Sequence, residues 1–297
     1  MRVTQQLLFG NFMRDINKNR GEMGRIQSDL SSGRRIRMPS QGPVEFERSR
    51  IIEENIRKEE QYQNNVSTGL RQSRMAQEAL DETIDRLIEI KGNLVKGATG
   101  TSNSEVRETM AREIEGIRDT LVNTLNTSSG DRYLFAGTNS DTIPFELDDT
   151  QPGGVLNNSS NKNPEVLIGD GVTLDISVNG VELTDTEAGD LFEVIDNIIT
   201  ALDADDTNAL NQLLSDADSA IEHVTNQAAK IGTNINRMDF LFEQYESSEI
   251  AQRAEISNLI DTDYAEAFSD LQRNQIAYES AMAVHSTMFS NTLLDYL

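Results

Sequence analysis

Cysteine and tryptophan are absent from the 297 residues, and histidine occurs only 2 times. Without cysteine there are no disulfides, thiolate metal sites, thiol nucleophiles or dithiol redox chemistry, and the redox compartment stays open. Proline is scarce: its 5 copies, Pro39, Pro43, Pro144, Pro152 and Pro164, all precede residue 165, and the last glycine is Gly232. Residues 233–297 therefore lack both strong helix breakers. Basic residues are few, with 26 Lys and Arg against 50 Asp and Glu, a formal charge of -24 and a pI near 4.4. That balance argues against nucleic acid and against an anionic membrane surface as partners, since both would repel the chain. The imbalance is uneven: residues 1–60 carry 12 basic and 9 acidic residues, residues 138–297 carry 5 and 30. Nowhere do about 18 apolar residues run together, so no membrane span is expected. The apolar patch in Met1–Gly10 lacks the core of a Sec signal peptide, and any export is expected to use another route.

Chemistry-bearing patterns are equally sparse. His223 and His285 sit in no zinc spacing, and the nucleophile-elbow, phosphate-loop and dinucleotide-binding motifs do not occur. Asp203, Asp205, Asp206 and Asn208 suggest a calcium loop only superficially, because the glycine at its sixth position and the closing glutamate are missing; a solvated helix start is expected instead. No catalytic, metal or cofactor-binding residue is expected, and no enzyme. His285 falls on an apolar stripe, as a packed or interface histidine would, whereas His223 reads as surface. Arg34, Arg35 and Arg37 form one basic cluster that fits either a solvated loop or a contact for the acidic surface of a neighbouring copy.

What the chain has in abundance is helical periodicity. Phe9, Ile16, Met23 and Leu30 recur every seventh residue, with Phe12, Asn19 and Ile26 three residues after the first three, the two seams of a heptad. Ser31-Ser32-Gly33 predicts its end, and the two prolines of Arg34–Pro43 predict a loop. A second helix follows on Ile52, Ile56, Tyr62, Val66, Leu70, Leu80, Leu87 and Leu94, and a third from a capping box of Ser102 and Glu105. A long helix is predicted over 208–260, and a last one after Asp263. In the last, Tyr264, Leu271, Tyr278 and His285 form one stripe, and Phe268, Met282, Phe289 and Tyr296 another, with Leu293 close by. In the middle the period changes. Val172–Val178 alternates, and Asn179-Gly180 predicts a type I′ hairpin into Val181 and Leu183. Shorter strands are expected at Tyr133–Ala136, Ile143–Leu147 and Glu165–Ile168, with a polar loop over Gln151–Pro164.

The expected architecture is mainly α with a β-rich insert, drawn out as an elongated rod. Its parts are an N-terminal assembly helix (1–40), a helical bundle in two stretches (41–130 and 191–260) around a β-rich outer domain (131–190), and a C-terminal assembly helix (261–297). Two terminal coiled-coil segments can bury their stripes against each other or against the same segments of other copies. Either choice makes Phe9, Phe12, Ile16, Met23, Ile26, Leu30, Tyr264, Phe268, Leu271, Tyr278, Met282, Phe289, Leu293 and Tyr296 candidate assembly residues.

Four segments carry a family resemblance: Leu30-Ser31-Ser32-Gly33-Arg34-Arg35-Ile36, Gln77–Glu82, Tyr133-Leu134-Phe135-Ala136-Gly137-Thr138 with Pro144-Phe145, and Leu293–Leu297. With them the chain resembles the flagellin superfamily along essentially its whole length, and within it the branch that joins hook to filament, with flagellin itself as the alternative. Where flagellins continue with a polar segment, Met38–Val44 stands here, and Arg86–Asn93 does not match the segment of flagellin read by the innate immune receptor. The resemblance implies a structural protein of the bacterial flagellum, extracellular, exported unfolded by the flagellar type III apparatus and polymerising as a homo-oligomeric ring through its terminal helices. It implies as partners a first hook-associated protein, flagellin and a flagellar export chaperone.

Overall fold

The structure, a computed structural model, describes residues 2–99 and 103–294. It is mainly α, with a small β-rich insert between its helices. The helices are α1 (Arg2–Ser32), α2 (Pro43–Ala98), α3 (Ser104–Leu125), α4 (Gly180–Thr184), α5 (Leu191–Asp203), α6 (Thr207–Ile260) and α7 (Tyr264–Leu294). Their ends follow local chemistry. α1 closes at Gly33, whose φ of 72° suits the left-handed turn that ends a helix and whose N–H donates to Asp29 O at 2.9 Å. α2 opens on Pro43, which lacks only an N–H that the first turn would leave unpaired. Asp206 and Asp263 cap α6 and α7 by accepting from backbone N–H groups two and three residues on. α3 is capped by Asn103, whose side chain accepts from Val106 N at 2.9 Å. The expected capping residue Ser102 lies outside the described residues.

The chain divides into two compact units, one of residues 1–57 and 248–297, the other of residues 58–247. In the larger unit α3 lies against α5, and a continuous core runs from Ala76 to Ile231 through Leu80, Leu94, Ile114, Leu121, Leu125, Leu183, Leu191 and Ile195. These eight side chains are essentially inaccessible, each contributing about 1.5–3 kcal/mol against its exposed state. Buried Arg107 closes one end: its guanidinium donates to Gly97 O (2.8 Å) and Thr99 O (3.1 Å), carbonyls at the C-terminus of α2, and pairs with Asp205.

The insert forms four antiparallel pairs: β1 (Ser128–Ser129) with β2 (Arg132–Tyr133), β3 (Phe145–Leu147) with β4 (Val155–Asn157), β5 (Glu165–Gly169) with β6 (Val172–Asp175), and β7 (Asp185–Thr186) with β8 (Gly189–Asp190). Three expectations are corrected here. The hairpin turns at Asp170-Gly171, where Gly171 takes a φ of 68°, pairing Val166 with Leu174. Asn179-Gly180 is no hairpin turn: Asn179 stays extended at φ -77°, and its side chain caps α4 by accepting from Glu182 N at 2.8 Å. The predicted loop over Gln151–Pro164 contains β4, which pairs with β3. Of Tyr133–Ala136 only Tyr133 is in a strand, while Leu134, Phe135 and Ala136 are buried.

The β5–β6 hairpin is tied down on the helices. Val66, Leu70, Ile168, Leu174 and Met238 share a second core. Helix side chains donate to its backbone carbonyls: Asn65 to Leu167 O (3.0 Å), Ser73 to Ile176 O (2.6 Å), Asn234 to Asp175 O (3.0 Å) and the Tyr245 hydroxyl to Ile168 O. Burial raises the Tyr245 phenol above its ordinary range, which keeps it protonated and able to donate.

Candidate functional site

The terminal helices meet inside the smaller unit. A heptad exposes one apolar seam to a partner helix, and α1 and α7 run antiparallel along such seams, with Phe12 near His285 and Asp29 near Thr262. On α1, Ile16 and Ile26 are buried and Phe12, Met23 and Leu30 half-buried; on α7, Leu271, Tyr278 and His285 are half-buried. The His285 ring stacks on Phe12 with centroids 4.3 Å apart and lies 5.8 Å from Phe9, a packed position as its stripe predicts. His223 is half-buried, not a surface residue, because its Nε2–H donates to the Glu182 carbonyl at 2.8 Å.

The connection after α1 is bound to the start of α7. Arg35 N and Ile36 N donate to Ile260 O at 2.7 and 3.2 Å, and Thr262 N donates to Gly33 O at 2.9 Å. Asp29, with its side chain 5% exposed, accepts from Arg37 at 2.8 Å and lies 3.4 Å from Arg25. Arg35 also donates to Leu259 O at 3.2 Å. Of the basic cluster, Arg35 and Arg37 are thus engaged within their own chain, and Arg34 is exposed. A further exposed pair joins Arg48 to Glu255 at 2.6 Å. Sequence reasoning missed Asp29 as an anchor. The available signal was an acid four residues before the helix-ending glycine, with arginines four residues before and eight after it.

The remaining candidates among the residues whose side chains are described are about half exposed. Tyr264 is 52%, Phe268 57%, Met282 46% and Phe9 45% exposed, and Ile276, which lies on neither predicted stripe, reaches 65%. The side chains of Phe289 and Leu293, and Tyr296 as a whole, lie outside the described residues. One seam of α7 is therefore spent on α1, and the adjoining flank is left to solvent. Singly exposed apolar residues are ordinary, whereas here several large ones lie on one helix. Among the described residues no group of three or more His, Asp or Glu could hold a metal ion, and no helix is long and apolar enough to cross a membrane.

Comparison with known proteins bears on this arrangement. Residues 3–140 match the bacterial flagellin N-terminal helical region, and residues 214–297 the bacterial flagellin C-terminal helical region. Flagellar hook-associated protein 3 of Escherichia coli is 24% identical over 307 residues, covering 97% of both chains, and its Salmonella typhimurium counterpart is 22% identical with the same coverage. Flagellin of Bacillus subtilis is 26% identical over 300 residues, covering 96% of this chain and 95% of its own. Among solved structures, the fold is similar to that of a flagellar hook-associated protein from Vibrio parahaemolyticus, with a TM-score of 0.66 at 19% identity over 74% of this chain and all of that one. The flagellar junction protein FlgL of Legionella pneumophila gives a TM-score of 0.61 at 14% identity over 72% of this chain and 99% of that one.

Proposed function

We propose that this chain, which belongs to the flagellin family, is a structural subunit of the bacterial flagellum that joins the hook to the filament. The observation that carries this reading is the end-to-end match to two hook-associated proteins, reaching 97% of this chain and 97% of each relative. The exposed flank of α7 supports polymerisation through the terminal segments, 1–40 and 261–297, leaving the bundle stretches 41–130 and 191–260 and the insert 131–190 outside the polymerising core. Its membership of the flagellin family and its match to hook-associated proteins support a structural role and not an enzymatic one. The finer partners belong to the same proposal: copies of the chain in a ring, the first hook-associated protein on the hook side, flagellin on the filament side, and an export chaperone before passage through the type III apparatus.

Shearing flagella from producing cells and measuring this chain against the major filament subunit tests the reading. A trace component located between hook and filament is the expected result. A chain that makes up the bulk of the filament would instead be the filament subunit.

A further inference from the structure

We propose that Asp170-Gly171, at the tip of the β5–β6 hairpin, is a site of spontaneous backbone modification in the folded chain, and that the fold shuts down the same reaction at the more reactive Asn179-Gly180 until the insert opens. The inference is independent of what the chain assembles with.

Glycine follows asparagine once in the sequence, at Asn179-Gly180, and aspartate once, at Asp170-Gly171. Both dipeptides are open to one self-reaction. The glycine nitrogen attacks the preceding side-chain carbonyl carbon, and a new C–N bond closes the five-membered ring of a succinimide. The nitrogen gives up its proton, and the leaving group departs as ammonia from asparagine or as water from a protonated aspartate. Water then adds to either ring carbonyl and breaks its C–N bond. One opening gives aspartate, the other isoaspartate, whose main chain runs through the former side-chain carbon. No electron donor or acceptor takes part. Glycine hinders the attack least, because it has no β-carbon. A carboxylate is a poorer electrophile than an amide, so the sequence alone points to Asn179.

The structure reverses that order. Asn179 is 3% exposed, its side-chain oxygen accepts from Glu182 N at 2.8 Å, and its side-chain amide donates to the Asn163 oxygen at 2.8 Å. The attacking atom is held as well, since Gly180 N donates to Phe135 O at 2.7 Å. A β-carbon on Gly180 would collide with the Ser159 hydroxyl and the Phe145 ring, so the segment has no room to turn. Ring closure there requires local opening, and the reaction proceeds only in the open fraction. Its product would be damaging: a carboxylate in a buried site, facing the Asn163 oxygen, where the amide now donates.

At the hairpin tip none of these restraints exists. Asp170 and Gly171 are both exposed, and a β-carbon on Gly171 would meet no described atom within 4 Å. Among the described residues neither the Gly171 N–H nor the Asp170 carboxylate is hydrogen-bonded. The ladder resumes at the next pair, Gly169 with Val172. Isomerisation at the tip adds no charge, and its product stays in water. The fold thus leaves the slower dipeptide open where the change is tolerated, and closes the faster one where it is not.

The purified full-length chain is kept for weeks at neutral pH, folded in buffer or unfolded in guanidinium chloride, and then cut quickly into peptides. Electron-transfer fragmentation identifies isoaspartate, and peptide mass identifies loss of the Asn179 amide. In the folded chain, isoaspartate at residue 170 is expected to accumulate while Asn179 stays intact. Unfolding is expected to speed the loss of the Asn179 amide at least about tenfold and to change Asp170 conversion by less than about threefold, because only the first reaction waits for opening. Asp170→Glu, whose longer side chain would have to close a six-membered ring, is expected to abolish the product at residue 170. A folded chain that loses the Asn179 amide faster than it isomerises Asp170 would overturn the proposal. So would a folded chain that leaves Asp170 unmodified while the unfolded chain converts it.

Discussion

Glu182 shows how single residues hold the insert to the helices. The Lys230 ammonium, donating at 2.9 Å, lowers the Glu182 carboxyl below its ordinary value of 4.5, against an opposing effect of burial. A carboxyl with a depressed folded-state pKa stabilises the fold above the unfolded value and loses that contribution as pH falls through the folded one. The difference in urea stability between the wild type and Glu182→Gln is therefore expected to be present at pH 7 and to shrink progressively below about pH 4.5. A difference unchanged down to pH 3 would show that the ion pair contributes nothing. Asn179 matters more. It caps α4, and its own N–H and side-chain amide both donate to the Asn163 side-chain oxygen at 2.8 Å, so Asn179→Ala removes a cap and one of those two donors while the backbone N–H remains. A loss of about 1–3 kcal/mol is expected on chemical unfolding.

At the scale of elements, helices were legible and the insert only partly so. The heptads of α1 and α7 need no tertiary information to be read as helices, because an apolar stripe at a period of 3.5 is itself the helical signal. The hairpin was read at Asn179-Gly180 when it lies at Asp170-Gly171, since both dipeptides satisfy the same local turn chemistry. The choice was made by partners distant in sequence, namely Asn163, which binds Asn179, and Asn65, Ser73 and Tyr245, which bind the backbone around β5 and β6. Gly171→Val should therefore destabilise the larger unit by about 1–2 kcal/mol, because a β-branched residue resists a φ of 68°. Tyr245→Phe should cost about 1 kcal/mol through its lost bond to Ile168 O. Thermal unfolding of each variant measures both, and a silent Gly171→Val would contradict the observed turn. The α7 stripes were legible as positions, but not which one α1 would cover. One residue turns a helix by about 100°, so neighbouring stripes compete for the same partner and the packed contacts decide.

At the scale of the whole molecule, the chain divides into two units with different packing. The larger has its own core and its own polar anchors, so it should fold whether or not the chain is assembled. The smaller buries one seam of its terminal helices internally and leaves large apolar side chains of the next exposed. The family membership and the end-to-end match to hook-associated proteins connect the chain to the flagellum.

The most direct measurement is filament attachment on cells whose only copy of this chain carries Phe268→Asp with Met282→Asp. Placing two carboxylates in an apolar contact costs several kcal/mol unless they are paired, and both residues lie outside the larger unit. The expected result is a purified chain with the wild-type thermal transition, and cells that shed their filaments and do not swim. Cells that keep normal filaments and motility would contradict it.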